Sequence, residues 1–257
     1  MEPMADTTKI EFTRRMQPII AWRAMKKLLA NKELTEEVFI ILRALGGSEM
    51  HRNFKRFNQL ETGKKVLAEE RDIIGTLNDR VGLAAMPEGS LGRRYLNFVV
   101  SEGLTADGLV DASNVNEETA VDLTDDEIRF QLRLRDTHDL WHVITDYKRD
   151  GLGELCLLAF TYAQSRNKGI AFIVAIATLS DIRKYPKSKV FRAVREGYRH
   201  GKQAEWFVAA DWEALLPMQL EDVRKELGFA APKKYRWSLD WLTKAGANDI
   251  TSVAIPA

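Results

Sequence analysis

Two histidines and a glutamate have the types and spacing of a metal site. His138 and His142 lie four residues apart, and eleven residues separate His142 from Glu154. On a helix, side chains four residues apart project from the same face about one turn apart, so two imidazoles can reach one ion. Helices that bind zinc and similar metals use this spacing. Asp139, beside the first histidine, adds a carboxylate.

The position of Glu154 requires the chain to turn. On one unbroken helix, Glu154 would lie roughly 24 Å beyond His138, too far for both to bind one ion. We expect Gly151 and Gly153 to break the helix and turn the chain back, so that Glu154 opens the next helix opposite the histidines. Asp139 is rotated around the helix from both histidines. It could bind the ion directly or orient a histidine from behind.

A chance arrangement is the competing interpretation. Histidine pairs at this spacing occur on helices without a metal, and a histidine near a helix end often contacts carbonyl groups alone. The chain has four histidines, the other two being His51 and His200, so half of them fall into this pair. With a glycine turn and a glutamate in reach, the pattern favours a metal site.

The donor set indicates which metals would bind and which chemistry would follow. Neutral imidazoles with carboxylates suit zinc, iron(II), cobalt or manganese, and this number of ligands leaves positions open on the ion. Zinc would act as a Lewis acid or activate water, whereas iron would permit dioxygen chemistry. The sequence has no glycine-rich phosphate loop and no serine nucleophile elbow.

The apolar pattern predicts an all-α fold. Apolar residues recur at helical spacing along most of the chain, and no alternating run of β-branched residues indicates a strand. We predict a single bundle-like domain of about eight to ten helices over residues 1–257, with flexible tails at 1–14 and 247–257. One helix is expected to start at Asp125 and carry the motif. Residues 64–79 are expected to be helical, and residues 103–123 to form an irregular acidic connection.

The most apolar helices are predicted directly after the motif, at about 155–166 and 169–182. Residues 170–179 carry no charge, but a membrane span needs about 20 apolar residues. This segment is therefore predicted to be a buried central helix or one wall of a lipid-sized cavity.

Composition narrows the class of protein. The chain has 257 residues and a net charge of +1, which gives no reason to expect nucleic-acid binding. Its one cysteine, Cys156, excludes an intrachain disulfide, suits a reducing compartment and is expected to be a small buried residue. No signal peptide, transit peptide or membrane span is recognisable. We therefore expect a cytoplasmic location.

Two blocks of sequence together resemble a known family. The first is His138-Asp139-x-x-His142 with Glu154, preceded by Arg135-Asp136-Thr137 and closed by Gly153-Glu154-Leu155. The second lies within residues 193–228 and contains Gly197-Tyr198-Arg199-His200-Gly201-Lys202-Gln203-Ala204. These blocks are similar to the Coq4 family of ubiquinone biosynthesis proteins, and the similarity extends over about residues 15–230.

The resemblance implies a function and a site. It implies that His138, Asp139, His142 and Glu154 bind a divalent metal, and that the helices at 155–182 shelter an isoprenoid tail. Phe160, Phe172, Ile173 and Ile176 are the expected lipid contacts. The implied reaction is oxidative decarboxylation at C1 of a prenylated hydroxybenzoate, in which a hydroxyl replaces the carboxylate. The resemblance also implies peripheral attachment to the inner face of the membrane, association with other ubiquinone-biosynthesis enzymes, and a homodimer.

Two other functions remain open at this stage. The protein could be a non-catalytic lipid-binding scaffold that organises the biosynthetic enzymes around a structural metal. Alternatively, His138-Asp139 could belong to an HD-type phosphohydrolase. That class needs a further upstream histidine and a downstream aspartate, for which His51 and Asp181 are the candidates.

Overall fold

The structure is a computed structural model that describes residues 15–31, 34–103 and 123–247. The expected tail at 1–14, all but the first residue of the expected tail at 247–257, and nearly all of the expected acidic connection lie outside the described residues. Within the described residues the fold is all-α, as predicted, with no strand and one isolated bridge between Ser90 and Gln219.

The N-terminal part of the chain forms seven helices, which are α1 (Pro18–Ala30), α2 (Thr35–Gly46), α3 (Glu49–Phe57), α4 (Glu61–Ala68), α5 (Ile73–Asn78), α6 (Arg80–Ala85) and α7 (Leu91–Ser101). The remaining α-helices are α8 (Asp125–Asp136), α9 (His138–Thr145), α10 (Gly151–Ser165), α11 (Lys168–Lys184), α12 (Val190–Gln203), α13 (Trp212–Leu215), α14 (Leu220–Glu226) and α15 (Lys233–Lys244). A short 3-10 helix, Phe207–Ala209, precedes α13. Several of these elements are short, so they outnumber the eight to ten expected helices.

Two predicted helices are each divided in the structure. Residues 64–79 fall into α4 and α5 because the chain leaves the helix at Glu70, whose φ is 48°. The expected helix from Asp125 through the motif is divided at Thr137 into α8 and α9. The Thr137 hydroxyl donates to the Arg133 carbonyl, which also accepts the helical bond from the Thr137 N–H, and such sharing of one acceptor often bends a helix. The motif therefore begins a helix of its own.

The start of α8 is set by its sequence. The Thr124 hydroxyl accepts a hydrogen bond from the Glu127 backbone N–H, and the Glu127 carboxylate accepts one from the Thr124 backbone N–H. This reciprocal capping box satisfies two donors that a helix N-terminus otherwise leaves free.

Helices α10 and α12 form the centre of the fold, and glycines let their backbones approach closely. A Cβ at Gly197 would lie 2.4 Å from the Cys156 carbonyl oxygen, and one at Gly201 would lie 2.5 Å from that of Phe160. Most of α10 is buried, including Cys156 as predicted. Helix α10, which carries Glu154 in its first turn, therefore lies inside the protein.

The buried apolar residues form two clusters. The larger one surrounds α10 and includes residues of α7, α9, α12 and the C-terminal helices. The smaller one joins α1, α2 and α11 and contacts α10 through Leu158. No helix in the described ranges is long and apolar enough to cross a bilayer.

A buried ion pair connects α8 to α13. Two nitrogens of the Arg133 guanidinium bind the two oxygens of Glu213 at 2.8 and 2.7 Å, and one of them also donates to the Ala210 carbonyl. The Arg133 side chain is almost fully buried. Burial alone would raise the pKa of Glu213, but the hydrogen bonds and charge of Arg133 outweigh it and the pKa lies below 4.5.

We predict that Glu213→Gln lowers the free energy of unfolding by about 2 kcal/mol at neutral pH, because it leaves a buried guanidinium without its counter-charge. Because the native pKa of Glu213 is depressed, the stabilisation is present above pH 4.5 and is lost as pH falls below it. The difference between wild type and variant, measured by urea denaturation across this range, should therefore shrink on acidification.

The matched control is Glu61→Gln. Glu61 forms an exposed pair with Lys64 at 2.9 Å, for which the expected change is near zero. Equal effects of the two substitutions would contradict the role assigned to Glu213.

Candidate metal centre

The two motif histidines face each other. His138 and His142 on α9 have their Nε2 atoms 3.2 Å apart and their ring planes at 90°. The Nδ1 atom of His142 lies 2.6 Å from the Tyr147 carbonyl oxygen. Because a carbonyl can only accept, Nδ1 carries the hydrogen and the Nε2 lone pair of neutral His142 points into the site. Metal-binding histidines are commonly oriented in this way.

Glu154 reaches the same point from the next helix. Its Oε2 atom lies 3.4 Å from His142 Nε2 and 3.9 Å from His138 Nε2. The side chain is 1% exposed. Oε2 has no hydrogen-bond partner among the described residues. The structure thus brings Glu154 opposite both histidines.

Asp139 completes the group. It is buried, and a carboxylate oxygen lies with nitrogens of His138 and His142 in a set whose members are all within 4.8 Å of one another. Its Oδ1 atom has no hydrogen-bond partner in the described part of the chain. Whether Asp139 binds an ion directly or orients a histidine stays open.

The arrangement fits a divalent cation. Buried polar atoms are nearly always hydrogen-bonded, yet two carboxylate oxygens here have no partner, and two imidazole nitrogens point at each other. A cation between the imidazole nitrogens would give these atoms a partner, with Asp139 or Glu154 as a carboxylate ligand, and imidazole with carboxylate is the donor chemistry of zinc, iron(II), cobalt or manganese.

Burial and neighbouring charges shift the ionisation of the group. Burial, together with His142 and Arg149, holds the pKa of His138 well below its usual range. Burial lowers the pKa of His142 too, but the Glu154 carboxylate outweighs it and the net shift is upward. Burial raises the pKa of Asp139 to about 6. A neutral His138 is the form that can bind a metal.

The residues that turn the chain back toward the histidines are not the ones predicted. Gly151 and Gly153 do not make it, because both belong to the first turn of α10. The chain reverses earlier, in the connector of residues 146–150. Asp146 ends α9 with a left-handed φ of 54°, and the Asp150 carboxylate caps α10 by accepting from the Leu152 and Gly153 N–H groups.

Gly153 is required for close approach rather than for turning. A Cβ at this position would lie 1.9 Å from the Lys148 carbonyl oxygen. The connector therefore lies directly against the first turn of α10, one residue before Glu154.

Side chains from the C-terminal helices hold this connector in place. The Tyr235 hydroxyl donates to Asp150 Oδ2 at 2.5 Å and accepts from the Lys148 N–H at 3.2 Å. Arg224 donates to the Ile144 and Val143 carbonyls at the end of α9. Nothing in the local sequence of these residues, or of Tyr147, relates them to the motif, so residue spacing does not predict their contacts with it.

The other two histidines, His51 and His200, and the downstream aspartate, Asp181, lie outside the candidate metal group. His51 is hydrogen-bonded through Nδ1 to Glu127 at 2.9 Å, and Asp181 is buried on α11. His200 lies on α12, with Nδ1 3.1 Å from the Tyr147 hydroxyl. The group that could hold a metal ion in the described residues comprises His138, Asp139 and His142, with Glu154 adjoining the two histidines.

The expected lipid contacts lie in different places. Phe160 is fully buried in the larger cluster, in edge contact with Trp141. Ile173 is fully buried in the smaller cluster, where Phe172 and Ile176 are half-buried. Lipid binding by these four residues stays a prediction.

Comparison with known proteins identifies the family. Residues 30–233 match the family model described as coenzyme Q (ubiquinone) biosynthesis protein Coq4. The chain belongs to the Coq4 family of ubiquinone biosynthesis proteins. The predicted family resemblance is thereby confirmed.

Two curated relatives carry names that correspond to this family. A Coprinopsis cinerea protein named as the mitochondrial ubiquinone biosynthesis protein COQ4 is 27% identical over 68% of this chain and 58% of its own length. A Caenorhabditis elegans protein of the corresponding name is 27% identical over 67% of this chain and 72% of its own. The chain therefore spans little more than half of the fungal relative. The mitochondrial names do not match the cytoplasmic location expected from the sequence.

The fold has a counterpart among solved structures. A crystal structure of a Nostoc punctiforme protein assigned to ubiquinone biosynthesis superposes with a TM-score of 0.59, covering 83% of this chain and 99% of that one. At 20% identity this similarity supports a common helical fold.

We predict that Gly153→Ala disrupts the return of the connector. The added methyl group would overlap the Lys148 carbonyl, so we expect a loss of about 2 kcal/mol or more in unfolding free energy and a lower metal content after purification. Gly75→Ala in α5, where a Cβ meets nothing within 4 Å, is the control and should be neutral or slightly stabilising.

We also predict that Tyr235→Phe weakens metal binding by about tenfold, because the hydroxyl holds the connector between two ligand-bearing helices. Competition with a chromogenic chelator measures the affinity. Tyr162→Phe, which alters a tyrosine stacked on Tyr198, is the matched control. Unchanged metal affinity in Tyr235→Phe would show that the clamp does not position the site.

Proposed function

We propose that this Coq4-family protein is a metal-dependent enzyme that acts on a prenylated hydroxybenzoate and replaces the ring carboxylate with a hydroxyl. The observation that carries the proposal is the convergence of His138, His142 and Glu154 on one buried point. The unpartnered oxygens of Glu154 and Asp139 add to it. Membership of a ubiquinone biosynthesis family supplies the substrate class.

The proposed reaction balances with dioxygen as oxidant and an external two-electron donor. The bond between ring C1 and the carboxyl carbon breaks, carbon dioxide leaves, and C1 gains a hydroxyl. One oxygen atom of dioxygen enters that hydroxyl and the other becomes water, with consumption of two electrons and, counted from the ionised carboxylate, three protons. A redox-active metal such as iron would supply the activation of dioxygen when bound.

The residues of the chain would hold and shield the reacting group. His138, His142 and Glu154 would bind the metal, with Asp139 beside them. Because these side chains are nearly all buried, water has little access and the charges in the site act through a low dielectric. The Tyr147 carbonyl would keep the His142 ring in the binding orientation.

A non-catalytic scaffold is the second candidate, favoured by the outer face of α1. Ile19 is 68% exposed and Trp22 is 49% exposed, and the exposed Lys26 and Lys27 lie on the same helix. An aromatic and basic surface suits anionic lipid headgroups. Peripheral attachment to a membrane at this face is compatible with both the catalytic and the scaffold role. The same holds for an isoprenoid tail, partner enzymes or a second copy of the chain nearby.

The decisive experiment compares wild type with His142→Ala. We expect the variant to lose bound metal, measured by mass spectrometry, and to lose at least 100-fold in turnover of a prenylated hydroxybenzoate to the hydroxylated product, because the metal centre loses a ligand. Release of labelled carbon dioxide from a carboxyl-labelled substrate reports the reaction directly.

His51→Ala is the matched control, because His51 is an exposed histidine outside the group and should leave both readouts unchanged. If His142→Ala loses metal but keeps full turnover, the metal has a structural role. Metal-loaded wild type that copurifies with lipid and partner enzymes but releases no carbon dioxide would favour the scaffold.

A further inference from the structure

With a divalent ion bound, the candidate metal centre and the arginine beside it would carry one net positive charge. Two neutral imidazoles, two carboxylates and a divalent ion sum to zero. Arg149, in the connector, then adds a positive charge beside the site. Its Nε atom lies 3.9 Å from Glu154 Oε1.

Arg149 does not donate a hydrogen bond to Glu154. A separation of 3.9 Å is beyond hydrogen-bond distance, and Glu154 is its ion-pair partner within the described residues. An arginine kept only to neutralise a buried carboxylate would normally form a close two-point contact. The nitrogens of Arg149 therefore remain available beside the site.

The position of Arg149 is at the boundary between the buried site and solvent. Its side chain is 23% exposed, whereas that of Glu154 is 1% exposed. Its charge reaches the interior, because it contributes to lowering the pKa of His138. Arg149 is therefore more accessible to a ligand from solvent than Glu154 is.

An aromatic ring lies beside the same group. Phe98, half-buried on α7, is stacked on the His142 ring with centroids 5.9 Å apart and an interplanar angle of 19°. A flat aromatic ligand with one anionic substituent would match a site with an aromatic surface and a guanidinium.

We propose that Arg149 binds the carboxylate of the aromatic acid and so places the ring beside the metal centre. This inference rests on the proposed function and makes Arg149 the residue that distinguishes substrate from product, because the product has lost the carboxylate. A guanidinium matches a carboxylate with two parallel hydrogen bonds, and an ammonium does not. The lost carboxylate would also favour release of the product.

The test is a binding experiment with two ligands, using full-length protein loaded with metal to equal measured content. The ligands are 4-hydroxybenzoate carrying a short prenyl chain and the matching prenylated phenol, which lacks the carboxylate. Affinity is measured by calorimetry without oxidant, so turnover is not needed. We expect wild type to prefer the acid. In Arg149→Gln, binding of the acid should weaken by roughly ten- to a hundredfold while binding of the phenol is unchanged.

Two further variants separate this role from a structural one. Arg149→Lys should restore part of the preference for the acid, because it keeps the charge but loses the two-point geometry. Arg192→Gln, an exposed arginine on α12, should leave both affinities as in wild type. The inference is overturned if wild type shows no preference for the acid, or if Arg149→Gln weakens both ligands equally or neither. A wild type that prefers the acid but does not decarboxylate it would reject the proposed function and leave the carboxylate site standing.

Discussion

The structure depends on keeping two carboxylates buried beside two imidazoles. Removing a charged carboxylate from water is unfavourable by several kcal/mol unless the charge is compensated. Glu154 and Asp139 each keep an oxygen that no described residue satisfies, at the point where two histidine nitrogens meet. A cation would reduce this conflict, since it would supply the missing charge and accept lone pairs from the imidazoles and a carboxylate. The proposal of a metal-dependent activity starts from that requirement.

Much of the surrounding fold serves to bring the group together. Close packing of α10 on α12 keeps the helix of Glu154 in the interior, and the connector returns the chain against the first turn of that helix. Tyr235 and Arg224, on α15 and α14, hold the two ends of the return through hydrogen bonds. Tyr235 lies just beyond the part of the chain that matches the family model, which ends at residue 233. Tyr235 therefore braces the site from outside that matched range, whereas Arg224 braces it from within.

The charge of the site also constrains its ligand. A metal ion with open positions could bind a carboxylate itself, and a guanidinium beside the ion would add a second positive group. Arg149 lies near Glu154, and Phe98 offers an aromatic surface beside His142. The buried face of α1 packs in the smaller core cluster, which contains none of the candidate metal ligands, and the opposite face exposes Ile19 and Trp22. Membrane or partner contact there would leave the two functions on separate parts of the molecule.

The sequence by itself determined the helical class, the pairing of His138 with His142, the burial of Cys156 and the family. Each of these follows from local periodicity or from a short motif, and local geometry does not depend on distant residues. Only the tertiary structure decided where the chain turns. The left-handed Asp146 and the Asp150 cap make the turn, whereas Gly153 is needed because a distant carbonyl packs against it. The roles of Tyr147, Tyr235 and Arg149 likewise depend on contacts between separate elements, which residue spacing along the chain does not encode.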